Sequence, residues 1–133
     1  MVPTDGRFIA IVDDDELFRR SIERFVRSIG IRVATFSSAE DFLGSAELNQ
    51  IACAILDIRL PGMDGLDLHQ RILAGATPIP VVFVSAHGEA NARTQAMRAG
   101  AIAFLKKPFD NSALLEALNR ALDDGWRVPC ARR

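Results

Sequence analysis

The sequence predicts an α/β fold, a parallel five-stranded sheet packed between five helices, and three observations carry that prediction. Short runs rich in β-branched and apolar residues recur five times, at 8–12, 31–36, 51–56, 81–85 and 102–105. Each is followed by a segment with apolar residues at helical spacing. The intervals leave room only for direct crossovers, so successive strands run parallel and helices cover both faces of the sheet.

Taken in order, strand 8–12 leads into a helix with Phe18, Ile22, Phe25, Val26 and Ile29 on one face. That helix stops at Gly30, a residue suited to a left-handed C-terminal cap. After strand 31–36, Ser37 stands three residues before Glu40, the pattern of a capping box, so a second helix is expected to open on Ser37. Strands 51–56 and 81–85 are almost wholly apolar, which places them inside the sheet. Between them, after Pro61-Gly62-Met63-Asp64-Gly65, a third helix carries Leu66, Leu68, Ile72 and Leu73 as its apolar positions. A fourth, about 89–99, ends at Gly100; a fifth, about 111–123, has Asp110 as its cap and Leu114, Leu115, Leu118 and Leu122 on one side.

Periodicity does not order the strands. Doubly wound sheets of this size commonly run 2-1-3-4-5, the flavodoxin-like arrangement, and their sites open at the carboxyl ends of the strands. One domain is expected over 1–124, with 125–133, which includes Trp126 and Pro129, as a C-terminal tail or the start of a linker.

At 133 residues and 49% hydrophobic content, the chain is long enough for one well-packed core. Sixteen basic against 17 acidic residues give a net charge of -1, so no broad cationic surface is present for direct nucleic-acid binding. Cys53 and Cys130 form neither a metal-ligand spacing nor a disulfide framework, and no apolar segment reaches transmembrane length. A cytoplasmic protein without membrane contact is expected.

Polar chemistry collects at the expected carboxyl edge. Asp13-Asp14-Asp15-Glu16 follow the first strand, Asp57 the third, Ser85 ends the fourth, and Lys106-Lys107-Pro108 follow the fifth. Asp15 and Glu16 have an ordinary alternative use at a helix start, where acidic groups oppose the helix dipole. Asp13, Asp14 and Asp57 are different, because adjacent first and third strands bring them together. Two carboxylates about 4 Å apart repel by roughly 4 kcal/mol at an effective dielectric near 20. A hard divalent cation removes that repulsion, and Mg2+ favours sites with few carboxylates plus phosphate oxygens. An ionised aspartate needs no general base to attack phosphorus, and the lysine and serine can stabilise phosphoryl oxygens.

Four segments then carry a resemblance: Val12-Asp13-Asp14-Asp15, Leu56-Asp57-Ile58-Arg59-Leu60-Pro61-Gly62-Met63-Asp64-Gly65, Val82-Phe83-Val84-Ser85-Ala86-His87-Gly88 and Phe104-Leu105-Lys106-Lys107-Pro108-Phe109. Together they resemble the signature segments of response-regulator receiver domains, most of all the FixJ-type branch, over about residues 6–123. The intervals from Asp57 to Ser85 and to Lys107 match that branch. The resemblance implies that Asp57 accepts a phosphoryl group from a histidine kinase or a small acyl phosphate. It also implies that Asp14 and Asp57 bind Mg2+ directly, Asp13 through water, and Arg59 through its backbone carbonyl. Ser85 and Phe104 resemble the switch pair, and Lys107 the phosphoryl-binding lysine, with a cis bond before Pro108. Such a domain assists its own phosphorylation without being an enzyme. It would dimerise on phosphorylation through the fourth helix, fifth strand and fifth helix, and serve a transcriptional output domain absent from this chain.

The sequence departs from the pattern at Ser85, where many members have threonine, at Ala86, often glycine, and in Gly88-Glu89-Ala90-Asn91, which lacks a proline usual at the start of the fourth helix. A lone His87 carries no expected chemistry, His69 is expected to be exposed on the third helix, Lys106 to be a surface charge and Cys53 to be core packing. Two rivals share the fold class. A haloacid-dehalogenase-type phosphatase would use Asp13-x-Asp15, but the usual threonine is missing. A flavodoxin-like binder needs a glycine- and hydroxyl-rich phosphate loop where three aspartates stand. A stand-alone phosphorelay receiver remains a variant of the first reading.

Overall fold

The computed structural model describes residues 7–45, 48–86 and 90–122. Among these, five strands, β1 (Phe8–Val12), β2 (Val33–Phe36), β3 (Ile51–Asp57), β4 (Val81–Ser85) and β5 (Ala103–Lys106), form one parallel sheet in the order β2-β1-β3-β4-β5. Helices α1 (Glu16–Ser28), α2 (Ala39–Leu43), α3 (Gly65–Ala74), α4 (Ala90–Arg98) and α5 (Asn111–Ala121) alternate with them, and a 3-10 turn at Leu48–Gln50 leads into β3. The expected strand order is therefore observed. His87 and the expected tail 125–133 lie outside the described residues.

Strand alternation divides the core into two halves. Phe8, Ala10, Val12, Ala54, Leu56 and Phe83 face α2, α3 and α4, while Ile9, Ile11, Cys53, Ile55, Val82 and Val84 face α1 and α5. The pairing of β1 with β3 shifts by one residue, Phe8 opposite Ile51 but Ile9 opposite Cys53, so that Ala52 is the extra residue of a bulge. β3 is buried along its whole length, as expected of a central strand with helices on both faces.

Local chemistry sets the ends of the helices. Asp15 caps α1 by accepting from the amides of Leu17 and Phe18. At the other end Gly30 takes φ 87, its amide bonds to Arg27 O and that of Ile31 to Val26 O, a Schellman closure. α4 ends the same way at Gly100, φ 101. Asp110 caps α5 through the Ala113 amide, as the sequence indicates. The cap of α2 is Ser38 and not Ser37: its hydroxyl accepts from the Asp41 amide, and Ser37 Oγ bonds the Asp41 carboxylate instead.

Two further expectations on α3 are corrected. Leu73 is 51% exposed, because one step past the buried Ile72 turns it about 100° away from the stripe. His69 is buried, its ring edge-on to Phe83 with centroids 5.3 Å apart. Burial holds its pKa below the ordinary value, so the neutral imidazole behaves as a flat, mostly apolar filler. Cys53 is buried in the core and Lys106 is exposed, as expected.

α3 begins against the end of β3 so closely that only glycine fits. A Cβ on Gly65 would lie 2.1 Å from the Asp57 carbonyl oxygen and 3.0 Å from Ile58 Cα, both backbone. Helix propensity alone would make alanine about 1 kcal/mol better than glycine here. The contact reverses that sign: Gly65→Ala is expected to destabilise the domain by about 1–3 kcal/mol in urea melts.

Candidate functional site

The carboxyl edge of the sheet gathers the polar residues. β1 ends one residue before Asp13, whose amide bonds Phe36 O at 3.1 Å, and β3 ends in Asp57 itself. Because β1 and β3 are neighbours, Asp13, Asp14 and Asp57 converge, each offering a carboxylate oxygen within 4.8 Å of the others. Asp13 is 1% exposed and Asp57 7%, whereas Asp14 faces solvent. An all-oxygen cluster open on one side suits a hard divalent cation.

Lys107 lies just past β5, and β4 stands between β5 and β3. Its side chain reaches across that strand's end, placing Nζ 2.9 Å from Asp13 Oδ2 and 3.6 Å from Asp57 Oδ2. Its amide bonds Ser85 O at 2.7 Å, fixing the start of the reach, and the Lys107-Pro108 bond is cis. The ammonium also rests 3.9 Å from the centroid of the Phe18 ring, which meets Phe109 edge to face at 5.9 Å. Read as sequence, Phe18 is only one position on the apolar stripe of α1; its contact with Lys107 has no local signature.

Each buried carboxylate is also held by backbone. Asp13 Oδ1 accepts from the Asp15 amide at 2.8 Å, and Arg19 Nη1 donates to Asp13 O at 2.7 Å. Asp57 Oδ1 accepts from the Arg59 amide at 3.2 Å, which turns the following loop back over the carboxylate. These contacts do not balance the charge at Asp57. Burial first, and then the Asp13 carboxylate, push its pKa up to about 6, against the opposing pull of Lys107 and the Arg59 amide.

Ser85 is the last residue of β4 and fully buried. Phe104, opposite Phe83 in the register of β4 and β5, is partly buried on the α2–α4 side, its ring 6.4 Å from that of Phe83 and tilted by 41°. The structure thus brings Asp13, Asp14, Asp57, Arg59 and Lys107 to one site, with Ser85 ending the adjacent strand and Phe104 on the neighbouring one. Asp15 is engaged as the cap of α1 and exposed, which leaves the Asp13-x-Asp15 reading of a phosphatase without its second carboxylate. A second residue missed in the sequence is Glu40, whose Oε2 accepts from the Met63 amide 23 residues away at 3.1 Å.

Comparison with known proteins agrees with this arrangement. The family profile of the response regulator receiver domain matches residues 9–119. Response regulator protein TmoT of Ectopseudomonas mendocina is 43% identical over 114 residues, covering 86% of this chain and 52% of that protein. Transcriptional regulatory protein FixJ of Bradyrhizobium diazoefficiens is 33% identical over 114 residues, 86% of this chain and 56% of the relative. The chain thus spans about half the length of these relatives. Among solved structures, the crystal structure of FixJ-N superposes with a TM-score of 0.81 at 30% identity, over 91% of this chain and 97% of that one. With strand order, acidic edge and sequence matching over the same span, the chain belongs to the response-regulator receiver-domain family.

Proposed function

We propose that Asp57 is the phosphoacceptor of this receiver domain and that Mg2+ is the cation its acidic edge takes up. One observation carries the reading: a buried aspartate at the end of the central strand lies against two further carboxylates and 3.6 Å from an ammonium. Asp14 and Asp57 would hold the ion directly, Asp13 through water, with the backbone carbonyl of Arg59 as a further ligand. When bound, the ion neutralises the crowded carboxylates and the developing charge on phosphoryl oxygens. The residues do the rest. An Asp57 oxygen forms the new O–P bond while the donor's P–N bond, or P–O bond in an acyl phosphate, breaks and its electron pair leaves with the donor. Lys107 then pairs with phosphoryl oxygens, and Ser85 donates to one of them.

The donor class is a cognate sensor histidine kinase, since a phosphohistidine is the phosphoryl source such domains meet. The domain accepts the group and assists its own phosphorylation and dephosphorylation, without acting as an enzyme on a separate substrate. Movement of Ser85 toward the phosphoryl group leaves room behind it for Phe104 to turn inward, changing the face made by α4, β5 and α5. That face carries exposed Arg93 and Arg98 on α4, with Asp110 and Glu116 at α5. Mixed signs suit a two-fold contact with a second copy. Asp123, just past α5, would add a further acidic group but lies outside the described residues. Residues 1–124 form the receiver unit in this reading, and 125–133 lead toward an output domain that controls transcription. With a net charge of -1 the domain itself is not expected to bind nucleic acid, and among the described residues no helix is long and apolar enough to cross a membrane. The cytoplasm is the compartment proposed.

Asp57→Asn is expected to abolish labelling by radioactive acetyl phosphate, and chelation of Mg2+ to abolish labelling of the wild type. Undiminished labelling of the variant would move the acceptor elsewhere.

The charge at Asp57 also predicts a pH dependence. Its folded pKa, about 6, lies above the ordinary 3.8, so the folded state binds its proton more tightly than the unfolded state. In the metal-free protein this group therefore stabilises fully below about pH 4, and its contribution is lost as pH rises through about 6. Asp57→Asn removes the loss, so metal-free melts above pH 7 are expected to favour the variant by an amount on the order of 2 kcal/mol. The difference should vanish near pH 4.

Dimerisation has its own test. Sedimentation velocity at high micromolar concentration is expected to show a monomer alone and a larger species with Mg2+ and beryllofluoride. An unchanged mass with Asp57 demonstrably modified would assign the output face to another partner.

A further inference from the structure

α2 is capped by Ser38, whose hydroxyl accepts from the Asp41 amide, and the Glu40 carboxylate is used elsewhere. It turns instead to the segment after Asp57, where Oε2 accepts from the Met63 amide at 3.1 Å. Gly62, just before, has φ +74, and a Cβ there would lie 2.9 Å from that same oxygen. Glycine thus does two things at once: it takes the left-handed turn at no steric cost and leaves the space the carboxylate fills.

The loop 58–64 is pinned at both ends by contacts already described. At its start the Arg59 amide bonds Asp57 Oδ1; at its end the Gly65 amide bonds Ile58 O and α3 packs on the Asp57 carbonyl. Between these, Leu60 is buried and Met63 packs against the α2–α4 half of the core. Glu40 supplies a side-chain hydrogen bond to the middle of the loop from a different element. Its helix is placed in turn by β2, whose last carbonyl, Phe36 O, accepts from the Asp13 amide.

We propose that Glu40 is a positioning residue of the acidic site: by holding the Met63 amide it fixes the loop after the phosphoacceptor, and with it the backbone carbonyl that Arg59 presents. The inference rests on the proposed uptake of Mg2+ at that edge. Without the tether the loop must be ordered when the cation binds, and the affinity falls by that ordering cost.

Magnesium titration by calorimetry, with amide exchange at Met63 followed by NMR, tests this on the wild type, Glu40→Ala and Glu40→Gln. Glu40→Ala is expected to bind Mg2+ about three- to tenfold more weakly and to exchange the Met63 amide faster. Glu40→Gln keeps a carbonyl oxygen for the same N–H and is expected to stay within about twofold of the wild type. A lower melting temperature in Glu40→Ala with unchanged Mg2+ affinity would make the bond structural only and overturn the proposal. So would a Glu40→Gln protein as weak as Glu40→Ala, since the effect would then belong to charge and not to the tether. A wild type that binds no Mg2+ would overturn the cation reading first, an outcome distinct from both.

Discussion

Buried carboxylates side by side repel, and among the described residues the Lys107 ammonium answers that repulsion. Lys107 stands 94 residues beyond Asp13 in sequence, yet its Nζ touches Asp13 at 2.9 Å and lies 3.6 Å from Asp57. Much of the fold is needed for that contact. β1 and β3 must be neighbours to bring the two aspartates together, and β5 must lie beyond β4 for the lysine to arrive from the side. Its stem crosses the end of β4, where the residue is a serine. The Phe18 ring gives the ammonium a further face at 3.9 Å, so α1 as well as the sheet sets its place.

The compensation is incomplete, and that incompleteness is chemically useful. Burial first, and then the Asp13 carboxylate, leave Asp57 above its ordinary pKa, at about 6, despite the Lys107 ammonium. At neutral pH it is ionised but held in surroundings that favour its neutral form. A bound cation would relieve the same stress. Gly65, by admitting α3 against the Asp57 backbone, fixes the position of Asp57 without using its side chain.

The sheet's interior was the most legible part of the sequence, because helices on both faces force a continuous apolar run with sharp ends. β1 and β4 begin and end where the runs 8–12 and 81–85 do. The edge strands were less so. Ile31, read as strand, is buried but serves the C-terminal closure of α1 through its bond to Val26 O, so β2 starts at Val33. β5 runs one residue further along the chain than the apolar pattern, through Lys106, since an edge residue can be paired and yet solvated. His69 departs from the rule that polarity means exposure, since the flat neutral ring packs on Phe83 as an aromatic would. At the site, aspartates, serine and lysine were legible as residue types at strand ends. Phe18 and Glu40 were not, as each works through a contact that only the assembled sheet creates.

The same two-faced sheet explains why a change at Asp57 is felt at β5 in the proposed reading. Strand alternation places Ser85 on the side of Phe83, two residues earlier, which is the α2–α4 half of the core. On that side a row of rings runs from His69 through Phe83 to Phe104, with centroid spacings of 5.3 and 6.4 Å. A packed interior does not deform smoothly, so in the proposed reading a shift of Ser85 would be taken up by the member of the row with room to move. His69 and Phe83 are enclosed, whereas Phe104 sits partly exposed on an edge strand. In that reading the freedom lies at β5, and a rearrangement begun at the buried edge would surface there, between α4 and α5.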